Sequence, residues 1–265
     1  MNQKITINNL KEMKEEGIKI ACLTSYDACF AKLQDKAGVD LLLVGDSLGM
    51  VLQGGDNTLK VTISDMIYHS RLVSGVTQRA IIVSDMPFMS YSTPAQALGN
   101  AARLVSEGGA HVVKIEGGDE LSQTVKLITQ HGIPVCGHLG LTPQSIHQIG
   151  GFGVQAVSNK AAKELEKDAL SLQEAGASCL VLECVPSSTA ASVTKLLDIP
   201  VIGIGAGIYC DGQVLVLHDM LGLTPKQPKF SKNFLSGNDS IFDAIEEYVN
   251  QVKNNSFPSP SNSYE

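Results

Sequence analysis

No stretch of the 265 residues gathers Lys and Arg into a cluster, and the formal net charge is −7. A polyanion such as DNA would meet net repulsion, which excludes nucleic acid as a partner. No continuous apolar run approaches the ~18 residues of a membrane span, and the mean hydropathy of +0.08 agrees. The opening MNQKITINNLKEMKEEG carries no apolar segment behind a basic one. Neither a secretory signal nor a transit peptide is therefore expected, and a cytoplasmic location follows by default. The six cysteines (Cys22, Cys29, Cys136, Cys179, Cys184, Cys210) form no C-x-x-C pair. Four of them lie inside apolar, strand-like runs, where Cys behaves as a small reduced hydrophobe.

With 43% hydrophobic and 18% charged residues, the chain can bury a substantial core. Its length exceeds an ordinary domain but suits an α/β barrel, which runs to roughly 200–250 residues as one unit. The pattern supports that reading. Eight short apolar runs recur: 18–24, 40–45, 80–85, 111–116, 133–138, 178–183, 199–205 and 213–218. They are continuous instead of alternating, as expected for parallel strands covered on both faces. Before several of them, DKAGVD, SEGGAH, TQHGIP and QEAGAS place Gly where a helix would end. Helices are predicted from a Ser64 cap to Gly75, from Thr93-Pro94 to Glu107, from Lys160 to Ala175, and through SIFDAIEEYVNQV. Between the last two strands only a 3₁₀ turn or a loop fits.

The sequence therefore predicts a single-domain α/β fold, a (β/α)8 TIM-type barrel over residues 1–254 with a short N-terminal helix. The Ser/Pro/Asn-rich tail 255–265 is expected to be disordered.

In such a barrel, side chains at the strand C-termini converge on one mouth, where active sites are found. Asp46, Asp85, Lys114 with Glu116, His138 and Glu183 close the second to sixth runs, and Thr24 and Ser25 close the first. A buried, unpaired carboxylate costs several kcal/mol, so three that crowd together predict a bound cation, and oxygen ligands favour a hard ion such as Mg²⁺. Asp46 and Asp85 are the expected direct ligands, with Glu116 acting through water. Each residue also has a structural reading: Asp46 and Asp85 as helix caps, Lys114 as a snorkelling side chain, His138 as a hydrogen-bonded core residue, and Glu183 as the partner of Lys114. Glu183 follows LVL with no opposite charge nearby in sequence, so it is expected to be desolvated, with a pKa raised toward that of a general base. GIGAG (203–207) lacks the rest of a phosphate-loop motif and reads as a wall of the pocket.

From about Ile20 to Tyr248 the chain also resembles the ketopantoate hydroxymethyltransferase family. The likeness rests on VGDSLGM (44–50), YHSRLV (68–73), DMPFMSY (85–91), VKIEGG (113–118), PVCGHLGLTPQS (134–145), LVLECVP (180–186), PVIGIGAG (200–207), DGQVLVLHD (211–219) and PKFSKNF (228–234). The resemblance implies transfer of a hydroxymethyl group from 5,10-methylenetetrahydrofolate to 3-methyl-2-oxobutanoate, giving 2-dehydropantoate through a Mg²⁺-stabilised enolate. It implies Mg²⁺ on Asp46, Asp85 and Glu116, substrate contacts from Asp46, Ser47, Asp85 and Lys114, and Glu183 as proton acceptor. His138 would bond near the keto oxygen. It also implies a homodecamer. GGDNTLKVT (54–62) departs from the family's usual G-H-D-S-T-L-P-V-T, with Gly55 and Lys60 in place of His and Pro. The alternative is a Mg²⁺-dependent C–C lyase or mutase of the phosphoenolpyruvate mutase/isocitrate lyase type. Such enzymes usually carry a K-K-C-G-H-like loop, whereas here Pro134-Val135 precedes Cys136-Gly137-His138.

Overall fold

The eight apolar runs become β1 (Ile20–Thr24), β2 (Leu41–Val44), β3 (Ile81–Asp85), β4 (Val112–Glu116), β5 (Val135–Gly140), β6 (Cys179–Glu183), β7 (Val201–Ile204) and β8 (Gly212–Leu215). A computed structural model, describing residues 4–265, joins them in sequence order into a closed barrel. Every neighbouring pair is parallel, including β8 against β1. Residues 1–3 of the expected domain lie outside the described residues.

The two-residue period of a strand divides each run into two cores. Cys22, Leu41, Leu43, Ile81, Val83, Val112, Cys136, Cys179, Val181, Ile202 and Val214 fill the barrel interior. Their sequence neighbours, such as Leu23, Leu42, Ile82, Val113, Leu180 and Val201, pack outward against the helices. Both layers are apolar, which explains why the runs are continuous.

At the strand N-termini, the helix Ile7–Glu15 stoppers the barrel. Ile5 and Leu10 join the interior cluster, and Lys14 Nζ holds Asp211 at 2.8 Å.

Several boundaries differ from the sequence reading. The helix expected from Ser64 spans Ile63–Ser74, because Thr62 forms a reciprocal capping box with Asp65. The eighth strand stops at Leu215, and Leu217–Met220 turns into a short helix whose Leu217 N–H donates to Thr24 Oγ1 at 2.9 Å. The connection between β7 and β8 is a loop, as expected.

The tail 255–265, where composition predicts disorder, lies against the barrel. Phe257 is buried, with its ring centroid 5.4 Å from that of Phe234 and 5.9 Å from that of Tyr248. The Tyr264 carbonyl accepts the Ser187 N–H at 2.8 Å, and Asn262 Nδ2 donates to the Ser231 carbonyl at 3.0 Å. The polar composition misleads because one aromatic anchor and a few backbone partners are enough to place a short segment. Five of the six cysteines are buried as free thiols, and Cys29 is exposed.

Candidate active site

The alternation that buries apolar side chains also turns Asp85, Lys114, Glu116, His138 and Glu183 inward. Each sits an even number of residues beyond an interior position of its own strand: Val83, Val112, Cys136 and Val181. Strand register then sets who meets whom. Asp85 lies opposite Lys114, and Glu116 opposite His138.

Asp46 follows β2 by two residues, in the turn that leads into the short helix Leu48–Val51. It is no helix cap, since that helix has Ser47 at its N-cap without a side-chain cap bond. The helix that follows Asp85 is capped by Thr93. The capping readings of both acids therefore fail.

Lys114 Nζ lies 2.7 Å from Asp85 Oδ1, both side chains being 4% exposed, so it does not pair with Glu183. Asp85 Oδ2 accepts the Asp46 backbone N–H at 3.0 Å. His138 sits between two acids, with Nδ1 3.4 Å from Glu116 Oε1 and Nε2 3.2 Å from Glu183 Oε2. Glu183 is thus not the isolated carboxylate that its sequence neighbours imply. The correction arises because β5 runs beside β6, and residues 45 positions apart become ring and carboxylate in contact. Ser47 Oγ lies 2.9 Å from the hydroxyl of buried Tyr26.

These arrangements set the protonation states. Burial, reinforced by the charges of Asp85 and Glu116, holds the Asp46 carboxyl well above its usual range. Burial would raise Glu116 as well, but His138, Lys114 and the Gln144 N–H outweigh it and keep that carboxyl low. Burial and the Lys114 charge push the His138 imidazole down, yet the acids on either side win and lift it to about 9. Lys114 resists burial because Asp85, Glu116 and Asp46 surround it, and it stays charged.

Four carboxyl groups (Asp46, Asp85, Glu116 and Glu183), of which Asp46 is biased toward its neutral form, therefore face two cationic groups (Lys114 and His138). A divalent cation would neutralise the excess. Among the described residues no three His, Cys, Asp or Glu side chains form a ready cage for a metal. Mg²⁺ takes one or two carboxylates and completes its octahedron with water or substrate oxygens. Asp46, just past β2, and Asp85, the last residue of β3, lie side by side, joined by the Asp46 N–H on Asp85 Oδ2.

Sequence reasoning misses Gln144 and Tyr91, which lie in loops outside the strand-end pattern. Gln144 Nε2 donates to Asp46 Oδ2 at 2.8 Å, and Tyr91 Oη donates to Gln144 Oε1 at 2.6 Å. No periodicity could find them. Cys136, by contrast, sits below the site in the barrel interior, where the neighbouring Cys179 thiol and burial push its own thiol well up. It is a packing residue.

The chain matches the profile of ketopantoate hydroxymethyltransferase over residues 4–260. It belongs to that family. It is 57% identical over 256 residues to the 3-methyl-2-oxobutanoate hydroxymethyltransferase of Nitrosococcus oceani, covering 96% of this chain and 97% of that protein. Identity to the protein of the same name from Methylobacillus flagellatus is 57% over 258 residues, or 97% and 98% of the two chains.

Among solved structures, a putative phosphonomutase from Burkholderia cenocepacia aligns over 82% of this chain and 95% of its own, with a TM-score of 0.66 and 13% identity. A phosphonopyruvate hydrolase in complex with oxalate and Mg²⁺ aligns over 83% of each chain, with a TM-score of 0.63 and 11% identity. At these identities the likeness is one of fold alone. Residues 261–265 lie beyond the family match.

Proposed function

We propose that the chain transfers a one-carbon unit from 5,10-methylenetetrahydrofolate to 3-methyl-2-oxobutanoate, forming 2-dehydropantoate for pantothenate biosynthesis. Membership of the family supports the substrate pair. The observation that carries the chemistry is the set of inward-facing acids around Lys114 and His138 at the strand C-termini. Mg²⁺ held by Asp46 and Asp85, with Glu116 through water, would supply Lewis-acid polarisation of the substrate's keto and carboxylate oxygens.

The protein's own groups do the rest. Lys114, buried and charged, neutralises substrate charge, and Ser47, backed by Tyr26, orients the substrate carboxylate. Glu183 removes the proton from C3. His138, cationic and in contact with Glu183 Oε2, keeps that carboxylate aimed. Water adds to the donor's methylene carbon and its two C–N bonds break, releasing tetrahydrofolate and a formaldehyde equivalent. The carbanion equivalent at C3 then adds to that carbonyl carbon, whose oxygen takes up a proton and becomes the product hydroxyl. No redox partner is needed.

The lyase or mutase alternative is disfavoured by the position of Cys136, which is buried beneath the site. The direct test is product formation from the two substrates with and without a chelator: activity should vanish on chelation and return with Mg²⁺. Full activity in chelator would overturn the metal assignment, and no product under any condition would overturn the reaction.

For the base, Glu183→Gln should lower kcat by roughly 10² to 10⁴ while divalent binding persists. Proton exchange at C3 without folate, followed by NMR, reads that step alone. Undiminished exchange in the variant would reassign the base.

A further inference from the structure

The amide of Gln144 meets several groups of the site at once. It lies in the 3₁₀ turn Pro143–Ser145 after β5 and is 5% exposed. Its backbone N–H donates to Glu116 Oε2 at 3.0 Å. Its side-chain Nε2 donates to Asp46 Oδ2 at 2.8 Å and to the Met86 carbonyl at 2.9 Å. Its Oε1 accepts from Tyr91 at 2.6 Å.

This pattern permits only one amide orientation. Turned over, Oε1 would face the Met86 carbonyl, an acceptor that carries no proton in any state. Such a buried mismatch costs about 1–3 kcal/mol for each group left unpaired. The hydroxyl of Tyr91, which also lies 3.3 Å from the Glu116 carbonyl, holds the remaining end. One oxygen of Asp46 is thereby engaged, while Oδ1 accepts no hydrogen bond among the described residues.

We propose that Gln144 is a positioning residue for the divalent-cation site. It fixes Asp46 so that Oδ1 faces the ion, ties Glu116 to the same turn, and is itself oriented by Tyr91. This rests on the reading of Asp46 and Asp85 as cation ligands. Support comes from the geometry, in which a single turn reaches two carboxyl groups far apart in the chain, Glu116 at the end of β4 through its backbone and Asp46 just past β2 through its side chain. Partners standing behind metal ligands commonly hold about 10- to 100-fold in affinity or activity.

The test uses Mn²⁺ as the probe, with its free concentration followed by electron paramagnetic resonance on the full-length protein. Gln144→Met keeps the volume and removes all three side-chain hydrogen bonds. It should weaken Mn²⁺ binding about 10- to 100-fold. The KM for the keto acid should rise in step when assayed at fixed Mn²⁺, while thermal unfolding still shows one cooperative transition.

Tyr91→Phe leaves the amide in place but removes the bond that holds its Oε1 end. It should weaken Mn²⁺ about 2- to 10-fold, the worth of one hydrogen bond. If wild type binds Mn²⁺ and a folded Gln144→Met binds it equally well, the role of Gln144 is overturned while the cation site stands. If wild type binds no Mn²⁺, both fall together. Should Gln144→Met fail to fold, unchanged binding in Tyr91→Phe overturns the proposal by itself.

Discussion

His111 shows how one side chain can complete a ladder. It lies just before β4, where its N–H donates to the Ile82 carbonyl at 2.9 Å, and its Nδ1 accepts the Ile82 N–H at 2.9 Å. Nδ1 must be unprotonated to accept, so the proton of the neutral ring sits on Nε2. Burial, aided by the Lys4 charge, lowers its pKa in the folded protein. The unfolded chain therefore takes up a proton near pH 6.5 that the native state resists. Stability from this group is full above that pH, falls as pH drops through it, and levels off below the folded pKa. In thermal unfolding between pH 8 and pH 5, His111→Asn, which keeps an acceptor but cannot titrate, should lose part of the wild-type slope. An identical slope would assign it to other groups. At this same scale the sequence was legible for Asp85, Lys114, Glu116, His138 and Glu183, because strand parity alone turns them inward. It was silent on Gln144 and Tyr91, whose loops obey no period.

The end of β5 shows an element constraining a site. Gly140 has φ +89°, and its register partner is Glu183, with Leu141 N–H donating to the Glu183 carbonyl at 2.8 Å. A Cβ at Gly140 would press on that carbonyl and lie 2.8 Å from Val185 Cγ1. Gly140→Ala should therefore cost more than the ~1–2 kcal/mol of a left-handed residue, because clash adds to strain. It should also lower kcat, since relief of the clash moves the segment bearing Glu183. Thermal midpoint and turnover measured together check this, and a variant that loses stability with unchanged turnover would show that the loop yields elsewhere. From sequence, this glycine reads only as part of GHLG. The demand for a positive φ comes from the neighbouring strand, 43 residues away.

Across the whole molecule, the tail closes the sequence onto the barrel. Phe257 packs with Phe234 and Tyr248, and the Tyr248 hydroxyl donates to the Cys22 and Gln213 carbonyls at 2.8 and 2.9 Å, bridging β1 and β8. Phe257→Ala should destabilise the protein by about 3–5 kcal/mol, as for other buried aromatics. Denaturant unfolding reads this directly. A loss below ~1 kcal/mol would mean that the aromatic cluster collapses onto the gap.

Taken alone, the sequence determined the barrel, the mouth and the acids that line it. Those features depend on periodicities of two and 3.6 residues, which any reader of the chain can count. Only the tertiary structure decided that Lys114 pairs with Asp85 and not with Glu183, that His138 separates Glu116 from Glu183, that Gln144 holds Asp46, and that the polar tail is packed. Each of these joins residues far apart in the chain, and their distances depend on strand order and loop path, which local pattern does not encode.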